Sequence, residues 1–265
     1  MSFTFTILGC GSSGGVPRVG QGWGACDPSE PKNRRRRCSM LIERHGEGAH
    51  PTRLLVDTSP DLREQLLGAQ VDRLDAVLLT HEHADHTHGI DDLRPLTITH
   101  RRRIDMHIDA ETSAMLHQRF GYCFETPPGS EYPPILNEHR FHHGDTIRID
   151  GPGGRVEALA FRQFHGSITS YGFRVAGLAY SSDLHDLPEE SLPFLENLDV
   201  WIIDALRRTP HPTHFSLGEA LDWIARLKPR RAVLTNMHTD LDYATLMREL
   251  PENVIPAYDG LKITI

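Results

Sequence analysis

The stretch Thr80-His81-Glu82-His83-Ala84-Asp85-His86-Thr87-His88-Gly89 contains three histidines and one aspartate within the six positions from 81 to 86. The apolar run at 74–79 immediately precedes it and is typical of a buried strand. Imidazole and carboxylate groups are the side chains that bind zinc, manganese or iron. We therefore predict that this stretch supplies half of a two-metal hydrolytic site, and that the rest of the chain brings the other half to it.

The composition indicates a soluble globular protein that folds as a single domain over residues 1–265. Hydrophobic residues make up 38% of the 265 positions and charged residues 24%, which is ordinary for such a domain. The formal net charge of −8 argues against nucleic-acid polymers or membranes as partners bound by bulk charge. A start without a basic, apolar leader pattern and four widely spaced cysteines predict free thiols and a cytoplasmic location.

Five predicted strands each end in a side chain that can bind a metal. The strands lie at 76–79, 159–164, 178–182, 200–203 and 232–237, and they lead into the cluster at 81–86, His165, Asp183, Asp204 and His238, respectively. In layered α/β proteins, ligands bind beyond the carboxyl ends of the strands. Buried strands hold such groups rigidly. The pattern therefore predicts that these side chains meet at one sheet edge.

The cluster divides between two metal ions. In an extended segment His81 and His83 point to the same side and can share the first metal. Asp85 and His86 are displaced enough to serve the second metal. Because four side chains do not fill two coordination spheres, further ligands must come from the other strand ends.

His165 is expected to complete the first metal site and His238 the second. Asp183 and Asp204 both qualify as the carboxylate that bridges the two metals, and spacing alone does not choose between them. Two cations about 3.5–4 Å apart bind and deprotonate a water, so hydroxide held between them is the expected nucleophile. His214 is the candidate acid for the leaving group, and Asp85 is a second candidate catalytic residue.

Three other segments carry weaker signals. The segment Gly9–Gly15 matches the dinucleotide fingerprint, but 16–22 cannot begin a helix, so we reject that interpretation in favour of a loop near the site. The run Arg34–Arg37 is either a solvated face or a phosphate-facing patch. The Pro- and aromatic-rich segment 121–134 is a candidate lid or substrate wall. Thr213 or His214 is expected to cap a helix at 217–227.

The order and spacing of the candidate ligands resemble the metallo-β-lactamase superfamily. The matching pattern is His81-x-His83-x-Asp85-His86, followed by His165, Asp183 and His238. The resemblance implies an α/β fold, a four-layer αβ/βα sandwich built from two similar halves with the site at one edge. It also implies that Asp183, rather than Asp204, bridges the metals.

Within the superfamily, the chain resembles the phosphoribosyl 1,2-cyclic phosphate phosphodiesterase branch. The resemblance lies in Gly9–Pro17, in Ser167–Gly172, and in Asp204–Arg207 together with His211–Leu217. It implies two divalent ions, Mn²⁺ or Zn²⁺, and His214 as the acid. The branch enzyme carries a cysteine-rich structural zinc site, whereas this chain has only two cysteines in that region, so we predict no structural zinc.

We therefore predict a phosphodiesterase that cleaves a small cyclic or nucleotide-like phosphodiester. Arg207 and Ser167 are the candidate substrate-binding residues. A thioester or lactone hydrolase is the alternative, because the same dinuclear site serves that chemistry. A non-catalytic metal-binding or nucleotide-sensing protein is a further alternative, and a homodimer is an open expectation.

Overall fold

Two seven-stranded sheets form the centre of the protein in the computed structural model, which describes residues 2–48 and 50–265. The first sheet has the order β14-β1-β2-β3-β4-β5-β6. Its strands are β1 (Ser2–Gly9), β2 (Ser39–His45), β3 (Thr52–Val56), β4 (Ala76–Leu78), β5 (Ile104–Ile108), β6 (Leu136–Arg140) and β14 (Lys262–Thr264). β2 and β3 pair antiparallel as a hairpin.

The second sheet has the order β13-β12-β11-β10-β9-β8-β7. Its strands are β7 (Thr146–Ile149), β8 (Val156–His165), β9 (Ile168–Val175), β10 (Leu178–Ser181), β11 (Val200–Asp204), β12 (Arg231–Thr235) and β13 (Val254–Pro256). β8 and β9 form a long antiparallel hairpin whose turn follows His165. The hairpin therefore carries this histidine to the end of the sheet.

The two sheets repeat one pairing pattern. In the first sheet, β14 to β3 pair antiparallel and β3 to β6 pair parallel. In the second sheet, β7 to β10 pair antiparallel and β10 to β13 pair parallel. The predicted architecture of two similar halves is confirmed. The carboxyl ends of the parallel strands of both sheets lie where the predicted ligands follow.

Helices cover the outer face of each sheet. They are α1 (Leu62–Gly68), α2 (Ala84–Thr87), α3 (Arg94–His100), α4 (Ala110–Phe120), α5 (Leu217–Leu227) and α6 (Tyr243–Glu249). Leu62 and Leu116 pack with outward-facing residues of the first sheet, whereas Ile224 and Leu246 belong to the core of the second sheet. Between the sheets, Phe5 and Phe161 share one buried cluster. These layers confirm the four-layer sandwich.

The cap of α5 differs from the prediction. Ser216, rather than Thr213 or His214, precedes the helix, and its hydroxyl accepts a hydrogen bond from the Glu219 N–H. The Glu219 carboxylate in turn accepts from the Ser216 N–H at 2.8 Å, which completes a capping box. Because the cap is supplied by Ser216, the His214 side chain is left for other contacts.

The arginine run is not a uniform solvated face. Arg35 is 2% exposed, and its guanidinium donates to the carbonyl oxygen of Leu241 at 2.7 Å. Arg37 forms an ion pair with Asp61 at 3.0 Å. Arg35 therefore anchors the loop after β12, a role that a run of like charges does not indicate.

The Gly-rich segment after β1 forms a loop, as predicted, and the next helical turn in the described part of the chain is the 3-10 turn Pro31–Asn33. All four cysteines are free and buried. Within residues 2–48 and 50–265, no helix has the length and apolar character that a membrane span requires.

Candidate active site

One cavity opens where the parallel strands of both sheets end. Its lining comes from eight separate segments of the chain. The lining residues are Ser12, Ser13, Arg18, His83, Asp85, His165, Asp183, Leu206, Arg207, His211, Thr213, His214, Asn236 and His238. None of the described residues in 121–134 contributes, so the predicted lid or wall does not line this cavity.

The first group of metal-binding side chains joins the two sheets. It consists of His81, His83, His165 and Asp183, whose ligand atoms all lie within 4.8 Å of one another. The Nδ1 atom of His81 lies 3.0 Å from the Thr80 hydroxyl, and that of His165 donates to the Thr213 carbonyl at 2.7 Å. These bonds occupy Nδ1 and leave Nε2 directed into the group, an arrangement that orients metal-binding imidazoles.

The second group consists of Asp85, His86 and Asp183. His86 Nε2 lies 3.2 Å from Asp183 Oδ1 and 3.5 Å from Asp85 Oδ2. On the other side of the ring, Nδ1 donates to Asp57 Oδ2 at 2.7 Å. Asp57 is fully buried and also accepts the Thr80 N–H at 2.8 Å. A buried carboxylate therefore fixes the tautomer and the orientation of His86.

Both groups fit divalent cations. The buried Nε2 atom of His81 has no hydrogen-bond partner among the described residues, and that of His86 faces only the carboxylates of Asp85 and Asp183. A buried polar atom without a partner is costly, and a cation at these positions would remove that cost. The fold and this donor set together imply divalent metal ions, held by neutral imidazole and ionised carboxylate.

Burial sets the protonation of the first group. It lowers the pKa of His81, and the neighbouring His86 lowers it further. Burial also lowers the pKa of His165 to about 4. Burial acts to raise the pKa of Asp183, but His86 and His214 outweigh it and hold that pKa well below its ordinary value. Neutral histidines around an ionised aspartate are the forms that bind a metal.

Asp183 is the carboxylate common to both groups. It follows β10 with a φ of 57°, a left-handed conformation that aspartate adopts more readily than most residues. Its Oδ1 accepts from the Ser182 hydroxyl at 2.7 Å and from Asn236 Nδ2 at 3.1 Å. Asp204, the competing candidate, lies instead against His214 and the Leu184 N–H.

His214 lies beside the shared carboxylate. Its Nδ1 donates to Asp204 Oδ2 at 2.8 Å, and its Nε2 lies 4.0 Å from Asp183 Oδ2. Burial acts to lower the pKa of His214, but the charges of Asp204, Asp183 and Asp85 raise it to about 9. The imidazole can therefore hold a proton at Nε2, on the side that faces the cavity.

His238, the seventh predicted ligand, lines the cavity but lies outside both ligand groups. Its Nδ1 is 3.1 Å from the Thr239 hydroxyl, and its Nε2 contacts Nη1 of Arg18. Burial lowers the pKa of His238, and the charge of Arg18 lowers it further. The ring is therefore neutral, and its cavity-facing nitrogen accepts from a guanidinium.

The two candidate substrate contacts lie in different surroundings. Arg207 lines the cavity, and its guanidinium donates to the carbonyl oxygens of Thr209 and Pro210 at 3.1 and 2.7 Å. Ser167 is exposed in the turn between β8 and β9 and is not part of the lining. The structure therefore brings Arg207 to the cavity but not Ser167.

Sequence reasoning missed four residues at the site. Asp57 follows the apolar segment 54–56 just as the predicted ligands follow their strands, so the same signal could have found it. Asn236 precedes the predicted ligand at 238 and has a φ of 60°. Ser12 and Arg18 belong to the loop after β1, and no spacing in the sequence connects them to the metal-binding side chains.

Comparison with known proteins defines the class first. The family model described as a beta-lactamase superfamily domain matches residues 52–237. The chain therefore belongs to the metallo-β-lactamase superfamily, and its fold and side-chain groups support a hydrolase. A crystal structure described as a new diphosphatase from the PhnP family is 34% identical, with a TM-score of 0.89 over 100% of this chain and 98% of that one. The chain thus falls in the PhnP-like branch.

Two further relatives are informative. Zinc-bound PqqB from Methylobacterium extorquens is 18% identical with a TM-score of 0.73, covering 98% of this chain and 99% of that one, and shares the fold. An octanoyltransferase from Porphyromonas gingivalis is 33% identical over 98% of this chain. The match covers 51% of that protein, so this chain spans about half the length of the relative.

Proposed function

We propose that the protein is a phosphodiesterase that uses two divalent metal ions, Mn²⁺ or Zn²⁺, to cleave a small cyclic or nucleotide-like phosphodiester. One observation carries this proposal: two groups of metal-binding side chains share Asp183 beside a proton-holding His214 in a single cavity. The similarity to a diphosphatase of the PhnP family at 34% identity supports phosphate chemistry.

In this proposal His81, His83 and His165 hold the first ion. Asp85, His86 and His238 hold the second, and Asp183 contacts both. Two such ions would polarise the phosphoryl group and lower the pKa of a water, so no serine or cysteine nucleophile is required. The negative charge of the chain is compatible with a small anionic substrate that binds at the cations.

His214 would act as the acid for the leaving group. Its Nε2 faces the cavity, and its Nδ1–H is held by Asp204 at 2.8 Å. The Asp204 carboxylate fixes the ring and stabilises the charged imidazolium, so the proton at Nε2 is available for the departing oxygen. Asp85 is proposed as a metal ligand. After Asp183, its carboxylate is the one that lies nearest to His86 Nε2.

The experiment that tests the proposal compares two substrates with manganese- or zinc-loaded protein. We expect turnover of bis-p-nitrophenyl phosphate and much slower turnover of a glutathione thioester. Thioester turnover without phosphodiester turnover would contradict the proposal. Metal analysis of the same sample shows whether the site contains metal, since a protein without metal would hydrolyse neither substrate.

A thioester or lactone hydrolase is the second candidate function. The name of the octanoyltransferase relative favours it, because octanoyl transfer and thioester hydrolysis both act on an acyl carbonyl. The match covers only half of that relative, and the two-metal ligand set serves either chemistry. The same substrate pair distinguishes the two candidates.

A further inference from the structure

The cavity has cationic side chains on the side of the loop after β1 and the loop after β11. Arg18 and Arg207 line the cavity together with members of both ligand groups. Arg18 contacts His238, and Arg207 lines the same cavity. In a chain with a net charge of −8, this is a local concentration of positive charge.

The loop after β1 is shaped to hold the Arg18 guanidinium. A Cβ atom at Gly14 would overlap Arg18 Nε and lie 3.0 Å from its Cζ, so the missing side chain makes room for the guanidinium. The Arg18 N–H bonds to the Gly22 carbonyl at 2.9 Å and closes the loop behind it. No carboxylate within the described residues forms an ion pair with Arg18. Its charge is therefore available to a ligand.

Ser12 adds a second group to the same place. This residue is 3% exposed and lines the cavity, and its hydroxyl has no hydrogen-bond partner in the described part of the chain. The backbone of Ser12 is fixed, since its N–H bonds to the Met237 carbonyl and its carbonyl accepts the Gly15 N–H at 2.7 Å. A buried hydroxyl without a partner that borders the cavity indicates a polar group of a ligand.

We propose that Arg18 and Ser12 form an anion subsite that binds a second phosphoryl group of the substrate, next to the phosphodiester that is cleaved. This subsite rests on the proposed phosphodiesterase function and narrows its substrate to compounds with two adjacent phosphoryl groups. A guanidinium offers several N–H donors in one plane, which suits phosphate oxygens. In the metal-loaded protein His238 Nε2 would hold the second ion, which would leave the Arg18 guanidinium free for the phosphate.

Binding of two nucleotides by calorimetry tests the subsite in the manganese-loaded protein. The probes are α,β-methylene-ADP, which has two phosphoryl groups and a linkage that resists cleavage, and AMP, which has one. We expect α,β-methylene-ADP to bind at least about tenfold more tightly than AMP, which is the gain in affinity that one charge-assisted hydrogen bond would provide. Arg18→Ala should remove this preference, and Arg18→Lys should keep part of it because a point charge remains.

Gly14→Ala provides a matched test that leaves Arg18 in the chain. The added methyl group displaces the guanidinium, so this variant should lose the same preference. Arg208→Ala is the control, because Arg208 pairs with Glu249 on the surface at 2.7 Å and does not line the cavity. It should bind both nucleotides as the unaltered protein does.

Three results would overturn the subsite: equal affinity of the unaltered protein for both nucleotides, an unchanged preference in Arg18→Ala, or loss of bound manganese in Arg18→Ala. The last result would assign Arg18 to the metal site instead. Turnover of bis-p-nitrophenyl phosphate, measured separately, reports on the phosphodiesterase proposal. Nucleotide preference without turnover would contradict the proposed function while supporting the subsite.

Discussion

The two groups of metal-binding side chains differ in how they are completed. The first group has three histidines and Asp183 within ligand distance of one another. The second has Asp85, His86 and Asp183, while His238, its proposed fourth member, contacts Arg18. The first group is therefore built by strand ends alone. The second depends on where the loops after β1 and β12 place an arginine and a histidine.

The difference extends to the groups that orient the ligands. In the first group, a hydroxyl and a backbone carbonyl contact Nδ1 of His81 and His165. In the second group, the fully buried carboxylate of Asp57 contacts Nδ1 of His86. A carboxylate raises the basicity of an imidazole ligand more than a neutral acceptor does. Asp57 thus orients the second group directly, and it reaches the first group only through the Thr80 hydroxyl beside His81.

The largest effect is expected for Asp183→Ala. Asp183 is the only side chain shared by the two groups, so its loss removes a ligand from both. It also leaves His81, His86 and His165 without the carboxylate that lies beside them. Bound metal should fall from two ions to less than one, and phosphodiester turnover should fall by at least about 10³-fold, as expected when charge stabilisation by metal ions is lost. Metal analysis after gel filtration, together with bis-p-nitrophenyl phosphate turnover, measures both.

Asp186→Ala is the matched control for Asp183→Ala. Asp186 lies three residues away and bonds to the backbone N–H of Leu187, outside both ligand groups. This variant should keep its metal. Full occupancy in the Asp183 variant would show that Asp183 bridges nothing and would remove the link between the two groups.

His214→Ala should separate catalysis from metal binding. His214 belongs to neither ligand group, so both ions should remain. Loss of a positioned general acid should slow turnover of a 2′,3′-cyclic nucleotide, which has an alkoxide leaving group, by about 10²- to 10⁴-fold. Turnover of bis-p-nitrophenyl phosphate, whose leaving group needs little protonation, should change far less. Equal losses on both substrates would contradict the role of acid.

Asp57→Asn should affect the second group more than the first, because Asp57 contacts His86 directly but reaches His81 only through the Thr80 hydroxyl. The amide can still accept the Thr80 N–H, but it replaces the carboxylate that accepts from His86 Nδ1. Loss of such an orienting carboxylate weakens metal affinity by about 10- to 100-fold. Calorimetric titration with manganese should show that the affinity for one ion falls more than the affinity for the other. A uniform loss at both positions would mean that the two groups are not separable.

The sequence predicted the meeting of the ligand-bearing strands because it follows from regular patterns, whereas the four-layer sandwich was implied by the family resemblance. Apolar strands that end in His or Asp are visible without coordinates, and so is their tendency to meet at one sheet edge. Asp57 obeys the same rule, since it follows the apolar segment 54–56. Six of the seven proposed metal ligands lie within the two groups.

The contacts that could not be predicted depend on loop geometry. Arg18 reaches His238 across 220 positions of sequence because an irregular loop after β1 turns its side chain over Gly14. Buried Arg35 anchors the loop after β12 through the Leu241 carbonyl, although it sits in a run of four arginines that suggests solvent exposure. No periodicity fixes these positions, since loops are shaped by individual hydrogen bonds and close contacts.

The smallest effect on turnover is expected for Asp259→Asn, which tests the contacts that hold the segment of His238. Asp259 accepts the Arg36 N–H at 2.8 Å, and its other oxygen lies 3.5 Å from Cys10 Sγ. The Cys10 carbonyl accepts the Met237 N–H, one residue before His238. Burial raises the pKa of Asp259 to about 7. The protonation of Asp259 should therefore affect the stability of the segment that carries His238.

The sign of this coupling follows from proton uptake. Between about pH 4 and pH 7 the folded protein keeps a proton on Asp259 that the unfolded chain releases, so the contribution of this residue to stability falls as pH rises through that window. Asparagine cannot ionise. The free energy of unfolding of Asp259→Asn relative to the unaltered protein should therefore increase from pH 4.5 to pH 7.5, by at most about 1.4 kcal/mol per pH unit. Urea unfolding at fixed pH intervals measures this difference, and the other titrating groups cancel because both proteins share them. A difference that stays constant with pH would mean that Asp259 ionises normally. Protonation of Asp259 would then make no contribution to the stability of the loop that carries His238.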